Sequence, residues 1–169
     1  MTPRSTDFAG LLRCLVDGGV EFIVVGAVAG IAHGSARSTF DVDAVYHRSR
    51  DNIERLARAL APYSPYLRGA PAGLPFSFDP ATIQRGLNFT LTTSLGDLDL
   101  LGDIAGGGQY PNLLPRSVVL DFDDLRCRCV RLATLIDLKR AAGRPKDLEA
   151  IAELEALLDE RQRAGRSDD

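Results

Sequence analysis

No stretch of this sequence is long and apolar enough to cross a membrane: the longest uncharged apolar run, Phe22 to Ala32, falls well short of the roughly 20 residues a span requires. Met1 to Phe8 is polar and is followed by no apolar segment of the kind that directs secretion, so no signal peptide is expected. Cysteine is scarce and odd in number. Cys14, Cys127 and Cys129 lack the paired spacing of a zinc site, because Cys-x-Cys on a strand sets both thiols on one face with no second pair elsewhere. They are expected to be reduced thiols of a cytoplasmic protein. A large excess of positive charge is also missing, and the net charge of −3 argues against a surface generally coated for nucleic acid. The local exception is Arg126 to Lys146, where seven basic residues meet one acid, Asp137. That run fits either a phosphate-rich substrate or the solvated faces of a strand and a helix.

What is present fits one globular domain: 169 residues, 45% hydrophobic and 25% charged. Phe8, Leu11, Leu12 and Leu15 recur at helical spacing within a helix expected over residues 7–17, which stops at Gly18-Gly19. Phe22 to Val25 reads as a strand, and Gly26 ends it before a short helix, Ala27 to His33. Gly26, Gly30 and Gly34, four apart, suit close packing of that helix on a sheet and do not fit the dinucleotide fingerprint. A second strand is expected at Phe40 to Tyr46 and an amphipathic helix at Arg50 to Ala61. Pro62 to Pro80 reads as irregular with a short strand at Phe76 to Phe78. Leu87 to Thr93 and Asp97 to Leu101 form a hairpin, and Gly102 to Pro115 a glycine-rich loop. Further strands are expected at Ser117 to Leu120 and Cys127 to Leu132. Two helices follow, Thr134 to Ala142 and Lys146 to Leu158, separated by Gly143-Arg144-Pro145.

The chemistry concentrates in residues 22–46. The free N–H groups that open the helix after Gly26 can hold phosphate oxygens. In the strand Phe40 to Tyr46, Asp41 and Asp43 share one face, and Asp97 and Asp99 repeat the pattern in the hairpin. Aspartate is poor in strand interiors, so two such pairs ask for a reason. One pair alone is well explained as a solvent-facing edge. Two pairs after a phosphate-ready turn point to a cation: Asp41 and Asp43 can bridge two Mg²⁺ ions about 4 Å apart, the arrangement used for in-line phosphoryl transfer. A third carboxylate from a neighbouring strand would complete the site and can accept the proton of an attacking hydroxyl.

At these residues the sequence resembles the nucleotidyltransferase superfamily that shares the DNA polymerase β palm. Its pattern is a Gly-Gly or Gly-Ser pair at a helix start, a spacer, an Asp-h-Asp-h strand (h apolar) and a later h-Asp-h strand. Here Gly26-Ala27 is followed by 13 residues, Asp41-Val42-Asp43-Ala44 and later Leu98-Asp99-Leu100, with Ala27 departing from the second Gly or Ser. Asp97 is a rival for the third carboxylate, and Asp99 is preferred because apolar residues flank it. More finely, the chain resembles AbiEii-like nucleotidyltransferase toxins of bacterial toxin–antitoxin systems. That likeness runs from His33-Gly34-x-x-Arg37-x-Thr39-x-Asp41-Val42-Asp43 to Leu138-Lys139-x-x-x-Gly143-Arg144-Pro145-Lys146-Asp147.

The resemblance implies an α/β (α+β) fold: a mixed-sheet nucleotidyltransferase palm with flanking helices and a C-terminal helical segment. Residues 1–132 would be the nucleotidyltransferase core, 133–160 the helices completing the same domain, and 161–169 a flexible tail. It implies Mg²⁺ on Asp41, Asp43 and Asp99, with Lys139 catalytic. Gly26, Ala27, Arg37, Thr39, Arg144 and Lys146 would contact the NTP. The acceptor would be the 3′ end of tRNA, so that the toxin blocks translation. Two alternatives stay open: adenylylation of a protein hydroxyl, as in small nucleotidyltransferase antitoxins, and a non-catalytic binding module. Thr39 stands two residues before Asp41, so its hydroxyl is expected either on the metal face or in a local hydrogen bond. In the resembling toxins a Ser or Thr at this place is phosphorylated by a kinase-like cognate antitoxin, which makes Thr39 a candidate regulatory site.

Overall fold

The β-branched run Phe22–Val25 forms β1, and Asp41–Tyr46 forms β2 antiparallel to it, with Val25 opposite Asp43. The structure, a computed structural model, describes residues 5–122 and 124–165. Residues 1–4 of the polar start and 166–169 of the expected tail lie outside the described residues. The other strands are β3 (Tyr66–Leu67), β4 (Phe89–Thr93), β5 (Gly96–Leu101), β6 (Ser117–Phe122) and β7 (Leu125–Val130). All belong to one mixed sheet of seven strands, ordered β3-β4-β5-β2-β1-β7-β6. The described α-helices are α1 (Phe8–Asp17), α2 (Gly26–Ala32), α3 (Arg50–Leu60), α4 (Pro80–Arg85), α5 (Tyr110–Leu113), α6 (Leu132–Ala142) and α7 (Pro145–Arg163). This is the mixed α/β architecture expected.

The sheet has two chemically different faces, because side chains alternate along each strand. On one face Val42, Ala44, Tyr46, Leu91, Leu98 and Leu100 are completely buried. α1 and α3 pack against each other there, α4 packs on α3, and α1 contributes Leu11, Leu12 and Leu15. Each fully buried leucine stabilises the fold by about 1.5–3 kcal/mol relative to exposure. Ser49 starts α3 by accepting the Asn52 N–H with its side chain. On the other face, the same alternation places Asp41 and Asp43 of β2 beside Asp97 and Asp99 of β5. α2, α6 and α7 stand over that side, with Leu135 and Leu154 against Gly30. The pairing of β2 with β5 is parallel and in register, Asp41 opposite Asp97 and Asp43 opposite Asp99.

Several expectations are corrected. The strand predicted at Phe76 to Phe78 does not form, because Tyr66–Leu67 already takes the outer edge of β4. Phe76 and Phe78 instead pack their rings near Tyr66 (6.0 Å from Phe76) and Phe89 (5.5 Å from Phe78). α4 arises where no element was expected, with Asp79 capping the Thr82 N–H and Pro80 in the first turn. The glycine-rich loop contains α5, whose Tyr110 stacks on His47 at 4.9 Å. α2 ends at Ala32, so Gly34 lies beyond it; of the three glycines it is Gly26 that packs tightly on the sheet, whereas a Cβ at Gly30 would make only ordinary contact with Ser35, Leu135 and Leu154. α6 stops at Gly143 in the left-handed region (φ 65°), and Pro145 opens α7, as the sequence pattern requires. α7 then continues to Arg163, into the segment read as a tail, and Arg161 Nη2 donates to the His33 carbonyl at 2.7 Å.

Candidate active site

Asp41, Asp43 and Asp99 each present an oxygen such that all three lie within 4.8 Å of one another. The cause is the β2–β5 register, which brings two locally spaced pairs into one patch. Hard carboxylate oxygens in such a group suit Mg²⁺ or Mn²⁺. Burial, then the charges of Asp41 and Asp99 and a hydrogen bond shared with Asp99, push the Asp43 carboxyl up to about 7, while Lys139 pulls the other way. A nearby cation would favour the ionised form of this carboxyl. The carboxyl sits against Gly26, where a Cβ would overlap Asp43 Oδ2 and where φ is +70°. Glycine is therefore required twice over, for space and for backbone conformation.

Two cationic groups answer the carboxylates. Lys139, on the last turn of α6, is only 14% exposed and pairs with Asp147 Oδ1 at 3.4 Å. Asp147 is completely buried in the first turn of α7 and also takes Arg144 Nε at 2.7 Å and Arg144 Nη2 at 3.2 Å. Burial alone would raise the Asp147 carboxyl, but hydrogen bonds and charge from Arg144 and the charge of Lys139 outweigh it and hold the group below the usual range. Arg144 in turn feels the charges of Asp43 and Asp41. Asp147 thus orients both cations beside the carboxylates.

The second cationic group, after the Lys139–Arg144 pair, is Arg68, which follows β3, and sequence reasoning missed it. Its guanidinium reaches Asp99 Oδ1 (Nη2, 2.8 Å), Asp97 Oδ2 (Nε, 3.3 Å) and Asp41 Oδ2 (Nη1, 3.8 Å), and Nη2 also donates to the Leu91 carbonyl at 2.7 Å. The backbone amide of Arg68 bonds Thr90 O, extending the ladder, so its side chain falls on the carboxylate face. The stretch was read as irregular, and a two-residue strand carries no periodicity that could have announced it.

Other expected site residues are scattered. Thr39 Oγ1 lies 3.2 Å from Asp41 Oδ1, so its hydroxyl does meet the carboxylate. Ala27 follows Gly26 in the first turn of α2. Arg37 pairs with Glu153 of α7 at 3.1 Å, together with the Ser35 hydroxyl and the Ala36 N–H, and this anchors the approach to β2. Lys146 is exposed on the first turn of α7. The basic run also dissolves in three dimensions. Arg126 pairs with Asp121 at 3.0 Å, Arg128 donates to Ser117 Oγ, Arg140 pairs with Glu155, and Lys139 and Arg144 share Asp147. Cys127 and Cys129 are buried, and burial pushes both thiols up, which fits inert reduced cysteines.

This architecture is similar to the crystal structure of a candidate nucleotidyltransferase from Thermotoga maritima. The two superpose with a TM-score of 0.51 over 94% of this chain and 98% of that one, at 15% sequence identity. The likeness is one of fold: the mixed sheet with flanking helices is common to the two chains. No protein-family model and no curated protein matches the sequence. Among the described residues no helix is long and apolar enough to cross a membrane.

Proposed function

We propose that this chain is a Mg²⁺-dependent nucleotidyltransferase that takes a nucleotide from an NTP. The observation that carries the reading is the convergence of Asp41, Asp43 and Asp99 within 4.8 Å on two parallel neighbouring strands, beside Lys139 and Arg144. Asp41, Asp43 and Asp99 would hold the metal, which when bound supplies positive charge to the triphosphate and in-line alignment of the transfer. Lys139, held by Asp147, would offer its ammonium to the triphosphate, and Arg144 would add a second donor from the same buried anchor. Asp99, on β5 of the hairpin, would accept the proton of the attacking hydroxyl. Gly26 and Ala27 would let the backbone approach the nucleotide, and Lys146 would reach its outer phosphates.

The finer reading is a toxin that modifies the 3′ end of tRNA and is controlled by a cognate antitoxin. Phe40 supports a nucleic-acid acceptor: it is 74% exposed and immediately precedes Asp41, a face on which a terminal base can stack. Thr39 supports control by a kinase, since phosphate there would add about −1.5 to −2 charge beside Asp41. The deciding experiment incubates purified protein with Mg²⁺, each labelled NTP in turn, and either total tRNA or a protein extract. Label on tRNA, lost in Asp41→Asn, Asp43→Asn and Asp99→Asn, is the expected result. Label on a protein band would move the acceptor to a protein hydroxyl. No transfer to either would remove the enzymatic reading.

A further inference from the structure

Both oxygens of Asp41 are already engaged: Oδ1 faces the Thr39 hydroxyl and Oδ2 faces Arg68, while one oxygen of Asp99 is also taken by Arg68. A divalent ion held by Asp41 and Asp99 must draw on the same lone pairs. Granting that the carboxylates form a cation site, we propose that Arg68 is an exchangeable counter-ion of that site, which divalent metal displaces and which is then free to grip the phosphates of the arriving nucleotide.

Three features suit Arg68 to exchange rather than to permanent residence. Its backbone is held independently, through the Arg68 N–H to Thr90 O bond of 3.0 Å, so the long side chain can leave, giving up its bond to the Leu91 carbonyl, without unmaking the sheet. The guanidinium is imperfectly satisfied: Nε is close enough to Asp97 for an ion pair, yet it is buried without a hydrogen-bond acceptor. And the side chain remains 28% exposed, which leaves a path to solvent. The cost of leaving is also shared. A planar guanidinium that gives up carboxylates can take phosphate oxygens with the same two-pronged geometry, so the nucleotide offers a replacement partner. Asp97, which stands outside the group of three, would then serve Arg68 rather than the metal.

The test uses Mn²⁺ as probe, with binding measured by calorimetry and melting temperature recorded in chelator and in Mn²⁺. Arg68→Met, similar in length but uncharged, is expected to bind Mn²⁺ about tenfold or more tightly than the wild type, since a competing charge a few ångströms away is gone. It should melt at a lower temperature in chelator and gain more from Mn²⁺ than the wild type does. Arg68→Lys should fall between. Unchanged or weaker Mn²⁺ binding by folded Arg68→Met, with an equal drop in melting temperature under both conditions, would make Arg68 a fixed structural counter-ion and overturn the proposal. If Arg68→Met does not fold in chelator, recovery on refolding with Mn²⁺ supports exchange of one cation for another, and failure to recover overturns it. Asp43→Asn separates the two readings. Loss of Mn²⁺ binding in that variant keeps the metal site whichever way Arg68 falls, whereas wild-type affinity would remove the metal site and this proposal together.

Discussion

The carboxyl of Asp43 rests against Gly26, the residue at which β1 turns into α2, with no room between them for a methyl group. The acid of β2 and the first residue of the preceding helix are thereby a single fitted unit. Gly26→Ala should cost about 1–3 kcal/mol of stability through overlap and a left-handed backbone, and should lose Mn²⁺ binding because Asp43 is pushed aside. Thermal melts and Mn²⁺ titration of the same sample check both effects. A variant that melts normally and binds metal normally would contradict the fit.

Asp147→Asn should be the most destabilising single change near the site. It leaves Lys139, 14% exposed, without its carboxylate and removes the partner of Arg144. A loss of about 3 kcal/mol is expected from denaturant unfolding. In the transfer assay KM for the NTP should rise, since neither cation is aimed any longer. Lys139→Met should raise KM as well, with a smaller loss of stability.

The pH dependence follows from Asp43, whose carboxyl is pushed up to about 7 by burial and by its acidic neighbours. A raised carboxyl favours the folded state only while protonated. In chelator, this contribution is therefore complete below about pH 4 and lost as the pH rises toward about 7. Metal binding runs in the opposite sense, because the ligand must be ionised. Melting curves at about pH 5 and about pH 8 should show a larger Mn²⁺-induced rise at the higher pH. An equal rise at both would mean that Asp43 does not titrate in this window.

Thr39 donates to Asp41 at 3.2 Å, and a negative group in its place should act on that carboxylate directly. Thr39→Glu is expected to reduce transfer at least tenfold by repelling the triphosphate, at roughly 1.4 kcal/mol of barrier per factor of ten. Thr39→Val should keep most activity and resist any kinase that acts there. Phosphopeptide mapping after co-expression with a candidate antitoxin gives the answer. Inhibition without phosphate on Thr39 would point to simple binding.

What could be read from the chain was local. Phe22–Val25, the Asp41/Asp43 pair, the helix at Arg50 and the Gly143-Arg144-Pro145 break all announce themselves within a few residues, through alternation, helical spacing or backbone preference. The family resemblance named Asp99 as the distant partner of Asp41 and Asp43, and these three do meet; what could not be read was which distant bases answer them. Arg68 finds Asp97 and Asp99 only because β3 pairs with β4 and β4 with β5, and nothing in Tyr66-Leu67-Arg68 encodes that neighbourhood. The basic run looked continuous because Asp121, Glu155 and Asp147, its counter-charges, come from other elements or from the next turn of chain.

The parallel, in-register pairing of β2 and β5 ties the chemistry to the core. Val42, Ala44, Leu98 and Leu100 point one way because Asp41, Asp43, Asp97 and Asp99 point the other. Deleting or inserting one residue in either strand would turn carboxylates into the apolar layer and apolar side chains onto the carboxylate face. Point changes at Asp41, Asp43 or Asp99 leave the apolar layer in place and would remove the carboxylates of the group one at a time. Changes of length in β2 or β5 cannot, so a lineage could lose this activity by substitution and keep the fold, but not by a single-residue gap in these two strands.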